Sequence, residues 1–238
     1  MKHTQLEQIL FLDIETVAGF EEYSEMPEAL QKHWNRKASF FKEAEQKTPE
    51  ELYGRAGIYS EFGKIVTIAV GYFRFDGDEN IQLRIKAFSS DNEVELLQAF
   101  AKLLSDSFPP SVKLCAHNGK EFDFPYIARR MVIQGIELPK PLQMSGKKPW
   151  EIPHLDTLEL WKFGDYKHFT SLDLLAHILG IPSSKSDIDG SQVNEVYYNE
   201  KNLDRITEYC KRDVAVLAQV FLKLQGMPLL NNSAIHML

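Results

Sequence analysis

Gln8-Ile9-Leu10-Phe11-Leu12-Asp13-Ile14-Glu15-Thr16 is an apolar run that ends in two acids instead of a turn. Ile9 to Leu12 has the character of a strand leaving a core. Strand side chains alternate faces, so Asp13 and Glu15 point the same way, with oxygens near enough to share a cation. Two adjacent carboxylates repel each other, which raises the pKa of one of them unless a cation relieves the pair. Hard divalent ions such as Mg²⁺ and Mn²⁺ favour such oxygen clusters. A bare Asp-x-Glu is more often a solvated acidic strand end, so the rest of the chain has to decide.

Two further settings bear on it. In Cys115-Ala116-His117-Asn118-Gly119-Lys120-Glu121-Phe122-Asp123-Phe124-Pro125-Tyr126-Ile127, a β-rich run over Val112 to Ala116 breaks at Asn-Gly, and a helix runs from there to about Gly135. Asn and Gly both tolerate positive φ, so the pair predicts a turn. Asp123 falls in the first helical turn, where backbone N–H groups and the helix dipole favour an anion; it reads equally as an ordinary helix-start acid. The third setting, Glu208-Tyr209-Cys210-Lys211-Arg212-Asp213-Val214, lies in a helical pattern from about Leu203 to Leu224, with Ile206, Val214, Leu217, Val220 and Phe221 as its apolar face. Tyr209 and Asp213 are four apart and share a face. Either one alone is more often a plain surface side chain.

In order and in detail, the three settings resemble the three exonuclease motifs of the DEDD superfamily: Asp13-Ile14-Glu15-Thr16, then Asn118 to Pro125, then Tyr209-x-x-x-Asp213. Position 208 is Glu and not His, which resembles the DEDDy branch. The Phe122-Asp123-x-Pro125-Tyr126 stretch is closest to the proofreading domain of family B DNA polymerases. Gly180-Ile181-Pro182 with Lys185 to Val193 resembles a free-standing bacterial group related to that domain. The resemblance spans about residues 6–225.

It implies a metal-dependent 3′→5′ exonuclease with two divalent ions, Mg²⁺ or Mn²⁺, held by Asp13, Glu15, Asp123 and Asp213. Two ions about 3.5–4 Å apart acidify the attacking water and steady the leaving oxygen. By resemblance, Asp13 bridges both ions, Glu15 and Asp213 complete the water-activating site, and Asp123 holds the second ion. Tyr209 orients the water; a phenol pKa near 10 makes it a poor formal base. Thr16, Asn118 and Phe122 are implied substrate contacts. Each has a plainer reading: a strand end, a turn residue and a helix-face aromatic.

His117 reads as a hydrogen-bonded structural residue, and Asp156 as structural in preference to a fifth catalytic acid. Lys211 and Arg212 are solvated helix charges or, if they face the cleft, phosphate partners. The Lys185 to Gln192 loop is a strand-binding candidate by resemblance.

Composition agrees with a compact enzyme: 238 residues, 44% hydrophobic, enough for a full core in one domain over 1–238. Residues 20–60 form a helical insertion directly off the catalytic strand, and about 226–238 a short tail without an evident role. Cys115 and Cys210 read as reduced thiols of a cytoplasmic protein, and neither cysteines nor histidines show zinc spacing. No signal peptide or bilayer-spanning run is expected. The balance of 27 basic against 34 acidic residues argues against a broad nucleic-acid-coating surface, though not against a site gripping one strand end. Lys140, Lys147, Lys148, Lys162, Lys167 and His168 form the most basic stretch.

The element order predicts an α/β, ribonuclease H-like fold: a mixed five-stranded sheet, with one antiparallel strand from a hairpin, flanked by helices. Pro27 starts a helix with Leu30, Trp34, Phe41 and Ala44 as its stripe, and a second short helix follows Thr48. Ile65–Phe75 and Ile81–Phe88 form the hairpin around Asp76-Gly77-Asp78. Asp91 to Leu104 is a helix with Val94, Leu97, Phe100, Ala101 and Leu104 inward. Leu138–Pro153 is a loop, His154–Thr157 an edge strand, and Ser171–Leu179 and Ser191–Asn199 are helices. The leading expectation is removal of 5′-monophosphates from single-stranded 3′ ends, DNA before RNA, with a polymerase or repair partner acting in trans. The alternatives are an exoribonuclease and a non-catalytic nucleic-acid or partner-binding module on the same fold. Oligomeric state is left open.

Overall fold

The apolar run that opens the chain becomes the middle of the sheet. The structure, a computed structural model, describes residues 3–75, 80–165, 168–182 and 188–238. A short α1 (His3–Leu6) leads into β1 (Ile9–Ala18), followed by α2 (Glu28–Ala38) in the insertion. Then come β2 (Gly63–Phe75), β3 (Ile81–Ser89), α3 (Glu93–Ser107), β4 (Lys113–Ala116) and α4 (Asp123–Ile133). The second half carries β5 (Leu155–Asp156), α5 (Thr157–Lys162), α6 (Leu172–Ile178), α7 (Val193–Tyr198), α8 (Leu203–Leu224) and β6 (Ile235–Met237).

The sheet runs β5-β4-β1-β2-β3-β6. β2 is antiparallel to both its neighbours, while β1 with β4, β4 with β5, and β3 with β6 are parallel. The ribonuclease H-like order expected from the sequence is therefore present, with one more strand than the five expected. The sixth is the three-residue β6, too short to announce itself by alternation. It lies in the tail, which folds back: the Gln219 amide accepts from the Leu230 N–H and donates to the Leu230 carbonyl, both at 2.9 Å. The Asp76-Gly77-Asp78 turn lies outside the described residues, as do Lys167 and Lys185-Ser186-Asp187.

Alternation along β1 divides the core between two helical layers. Leu10, Leu12 and Ile14 pack with Leu97 and Phe100 of α3 and Phe124 and Ile127 of α4. Ile9 and Phe11 face the other way, onto Val214, Leu217 and Phe221 of α8. Phe11 meets Phe73 and Phe221 edge-on, with ring centroids 5.2 and 5.3 Å away. The insertion packs with Val17 of β1, Val66 of β2, Val196 of α7 and Tyr209 of α8 in a further apolar cluster around the fully buried Trp34, whose indole N–H donates to the Pro49 carbonyl at 2.7 Å.

Three local expectations change. After Thr48 the chain makes turns and a 3₁₀ segment, Tyr53–Ile58, in place of an α-helix. Gly54 and Gly57 lower helix propensity there, and Gly57 lies hard against the Val17 backbone. On α3, Val94 and Ala101 are only half-buried, while Leu96 and the acid Glu93 occupy inward positions. The unexpected α5 follows β5 directly, capped by Asp156, whose carboxylate accepts from the Leu158 and Glu159 N–H groups. At six residues it is too short for periodicity to reveal.

Candidate active site

The row of β1 side chains that faces α8 begins as Ile9 and Phe11 and continues as Asp13 and Glu15. The core ends where the acids begin. One oxygen each from Asp13 and Glu15 and the Cys210 sulfur lie within 4.8 Å of one another. The Cys210 thiol donates to the Asp13 carboxylate at 3.4 Å and lies equally near the Asp13 carbonyl. Beside Glu15 the β1–β2 register slips: Glu15 faces Thr67 but Thr16 faces Ile65, leaving Val66 over. Such a bulge re-aims the strand end.

Asp123 reaches this point from the opposite layer. The β1–β4 pairing ends at Phe11–Cys115, so the β1 edge beyond it has no strand partner on that side. The Asp123 carboxylate fills the gap by accepting from the Ile14 N–H, and from its own N–H at the start of α4. The turn before it is built for this approach. Asn118 takes the left-handed conformation at φ 62°. Gly119 serves by lacking a side chain, since a Cβ would collide with Ala116 and Phe124. Asp156 pins the turn, accepting from the Asn118 N–H at 2.9 Å and the Lys120 N–H at 3.1 Å. It is a structural acid, as the sequence reading held.

α8 supplies the rest. Tyr209 is buried, and its hydroxyl is hydrogen-bonded to the Asp213 carboxylate one turn on. Both side chains line a cleft of about 340 Å³ together with Ser171, Asp173, Asp189 and Gly190. Part of the Lys185–Gln192 loop thus borders the site, through Asp189 and Gly190.

The electrostatics show how strained this concentration of acid is. Asp13 keeps part of its surface open, yet the protein around its carboxyl pushes its pKa well up, and Glu15, Asp213 and Asp123 push it further against the thiol hydrogen bond. Glu15 is raised by burial, then by Asp213 and Asp123. Asp123 rises to about 7, chiefly through burial, opposed by its own N–H and assisted by Asp156. Tyr209 is raised by burial and by Asp213, Glu15 and Asp13. Asp13 and Glu15, whose charge the neighbouring Asp123 and Asp213 disfavour, form with Cys210 a cluster that a divalent cation would relieve. Carboxylate oxygens with one thiol at their edge are a donor set that suits a hard divalent cation.

The weaker candidates separate. Thr16 is half-exposed and hydrogen-bonded to the Tyr126 hydroxyl. Phe122 precedes α4, half-buried, with its ring 5.3 Å from that of Tyr126. His117 is structural: its ring nitrogens meet the Thr157 hydroxyl at 2.9 Å and the Thr170 carbonyl at 2.8 Å. Lys211 pairs with Glu208, and Arg212 is half-buried instead of solvated.

Two contributors escaped the sequence reading. One is Cys210, inside the third motif, which was read only for its redox state. The other is Glu93, which accepts from the Ile65 N–H at 2.8 Å, from Arg130 and from Gln134, while Arg130 donates to the Ser60 carbonyl at 2.8 Å. This buried network ties α3, β2 and the insertion to the helix that begins with Asp123. The 37-residue separation between Glu93 and Arg130 left no local signal.

Residues 58–231 match a family described as "Predicted 3'-5' exonuclease related to the exonuclease domain of PolB". Over 175 residues the chain is 24% identical to DNA polymerase 1 of Pyrococcus abyssi and 22% identical to a DNA polymerase of Pyrococcus glycovorans. Each match covers 66% of this chain but 22% of the relative, so the chain corresponds to about a fifth of those polymerases. The family B DNA polymerase of Pyrobaculum calidifontis superposes over 90% of this chain and 24% of its own, with a TM-score of 0.52 at 15% identity.

Proposed function

Because the chain belongs to the family of predicted 3′-5′ exonucleases related to the exonuclease domain of PolB, we propose that it hydrolyses the terminal phosphodiester of single-stranded DNA from the 3′ end, releasing nucleoside 5′-monophosphates by the DEDDy, two-metal route. The observation that carries the reading is convergence: Asp123 from α4 and Asp213 from α8 lie near enough to Asp13 and Glu15 of β1 to disfavour their charge, with Tyr209 hydrogen-bonded to Asp213.

The residues have distinct tasks. Asp13 and Glu15 share a strand face and present oxygens to a common point, with Asp213 beside them and Asp123 opposite. Bound there, a pair of divalent ions would neutralise phosphate charge and make water acidic enough to attack near neutral pH. The Tyr209 hydroxyl stays protonated, because its surroundings disfavour phenolate, so it holds and orients water instead of removing its proton. Cys210 fixes the Asp13 carboxylate through its thiol. Thr16, Asn118 and Phe122 would contact the terminal nucleotide. The preference for DNA rests on the polymerase relatives alone.

The test is product release from matched 5′-labelled single-stranded DNA and RNA of one sequence, with Mg²⁺ or Mn²⁺ and with Asp13→Ala as control. A ladder shortening from the 3′ end, with 5′-monophosphates released, is expected with DNA and absent with Asp13→Ala. Faster loss of RNA would establish the exoribonuclease reading. Binding without cleavage of either polymer would establish the non-catalytic one.

A further inference from the structure

Along the outer side of α4 lies a groove of about 630 Å³ that the chemistry described so far does not use. Its inner end is formed by Lys120, Pro125 and Glu61. Lys120 stands in the pinned turn before Asp123, and Pro125 two residues beyond it. The groove therefore begins at the N-terminal end of α4, where Asp123 sits. From there one wall follows α4 through Ala128, Arg129, Val132 and Ile133, and the other is the loop after residue 138. The eleven residues from Asp123 to Ile133 advance about 15 Å in steps of about 1.5 Å, room for roughly four bases at about 3.4 Å spacing.

Its walls are unusual for a surface that meets only water. Val132 and Ile133 are 64% and 52% exposed, and Trp150, on the same loop, is 76% exposed. Lys148 lies over the Trp150 ring, 5.2 Å from its centroid. Arg129 lines the groove and Lys140, Lys147 and Lys148 are exposed along the loop that forms its other wall; among the described residues none of the four has a carboxylate within ion-pairing distance. Among the acids here, Glu61 lines the groove, Glu159 pairs with Lys120 at 2.7 Å, and Glu151 accepts from the Lys148 N–H. In a chain with net charge −7, an apolar groove lined by Arg129, beside a loop that carries an exposed indole and exposed lysines between the lining residues Ser145 and Ile152, has the make-up of a single-strand track: aromatic and apolar faces for bases, cations for phosphates.

We propose that this groove holds the nucleotides upstream of the scissile bond, with Trp150 as a stacking platform and Arg129, Lys147 and Lys148 as phosphate partners. The proposal rests on the exonuclease reading and gives it a length dependence. A strand of about four to six nucleotides fills site and groove together, whereas a mononucleotide ester touches the site alone.

The experiment compares two substrates: the 4-nitrophenyl ester of thymidine 5′-monophosphate, and oligothymidylates of increasing length. Wild type is expected to show a KM that falls with length and then levels off at about six nucleotides. Trp150→Ala and the exposed-loop double variant Lys147→Glu/Lys148→Glu are expected to raise KM for the long oligomer about tenfold and to leave hydrolysis of the ester unchanged. Quenching of wild-type tryptophan fluorescence by oligothymidylate with Ca²⁺ in place of Mg²⁺, lost in Trp150→Ala, reads the contact without turnover. Equal KM values for long and short oligomers in all three proteins would overturn the track and leave the exonuclease standing, with a protein partner as the remaining occupant. Failure of wild type to cleave either substrate would overturn the exonuclease reading itself.

Discussion

Tyr209 can serve the reaction in one way only. A phenol whose surroundings keep it protonated cannot be the base, so its worth lies in the hydrogen bonds it gives. Tyr209→Phe is expected to lower kcat about 10²-fold while leaving Mn²⁺ affinity within about twofold, readable by steady-state kinetics beside calorimetric titration. The carboxylates give a second prediction. Asp123, pushed up to about 7, has a folded pKa above its unfolded one near 3.9. In the cation-free protein its contribution to stability is therefore fully present below about pH 4 and lost as pH rises toward about 7. Cation binding needs the ionised form and runs the other way. The thermal shift produced by Mn²⁺ is thus expected to be largest near pH 8 and to shrink as pH falls through about 7, as differential scanning fluorimetry would show; a shift independent of pH would contradict it. Much at this scale was legible in the sequence: Asp13 and Glu15 two apart on a strand, Tyr209 and Asp213 four apart on a helix. What escaped were contacts between residues distant in the chain, such as the Cys210 thiol on Asp13, which no local spacing encodes.

Among the elements, α4 carries the greatest burden, because its first residue has to reach across the end of β1 from the far layer. Its position is fixed by the Asn118-Gly119 turn, by Asp156 beneath that turn, and by the Glu93–Arg130 network farther along. Breaking a buried ion pair from one side leaves an uncompensated charge and costs about 3–5 kcal/mol. Glu93→Ala is expected to lose that much in denaturant-melt stability, and Glu93→Gln less, since it keeps an acceptor for the Ile65 N–H. No measurable loss in Glu93→Ala would mean that the network does not hold α4. The sequence announced α4 and α8 well, through a turn signal and a long apolar face. It did not announce α5 or the 3₁₀ path at Tyr53–Ile58, where short length and glycines remove the periodicity on which such reading depends. Glu93 was hidden for another reason: an acid in a first helical turn is ordinarily a surface residue.

For the whole molecule, the tail changes the picture from five strands to six. β6 covers the outer edge of β3, and the Leu238 N–H donates to the Ile85 carbonyl at 2.8 Å. An uncovered strand edge is a template for pairing with other chains. Removing residues 227–238 is accordingly expected to cause concentration-dependent association, seen as a shift to larger species in size-exclusion chromatography. A monodisperse truncated protein with an unchanged elution profile would show that β6 is dispensable. The central strand, the hairpin and the order of helices could be read from hydrophobic pattern, whereas the tail's pairing depends on Gln219 and on an edge that exists only once the sheet has formed.

The most direct test of the central claim is the number of cations bound. Calorimetric titration of Mn²⁺ into the protein with thymidine 5′-monophosphate present is expected to give about two ions per chain, with Asp13→Asn and Asp213→Asn each losing at least one. Wild-type stoichiometry unaltered in both variants would contradict the claim that β1, α4 and α8 bring their acids together to hold a shared pair of ions.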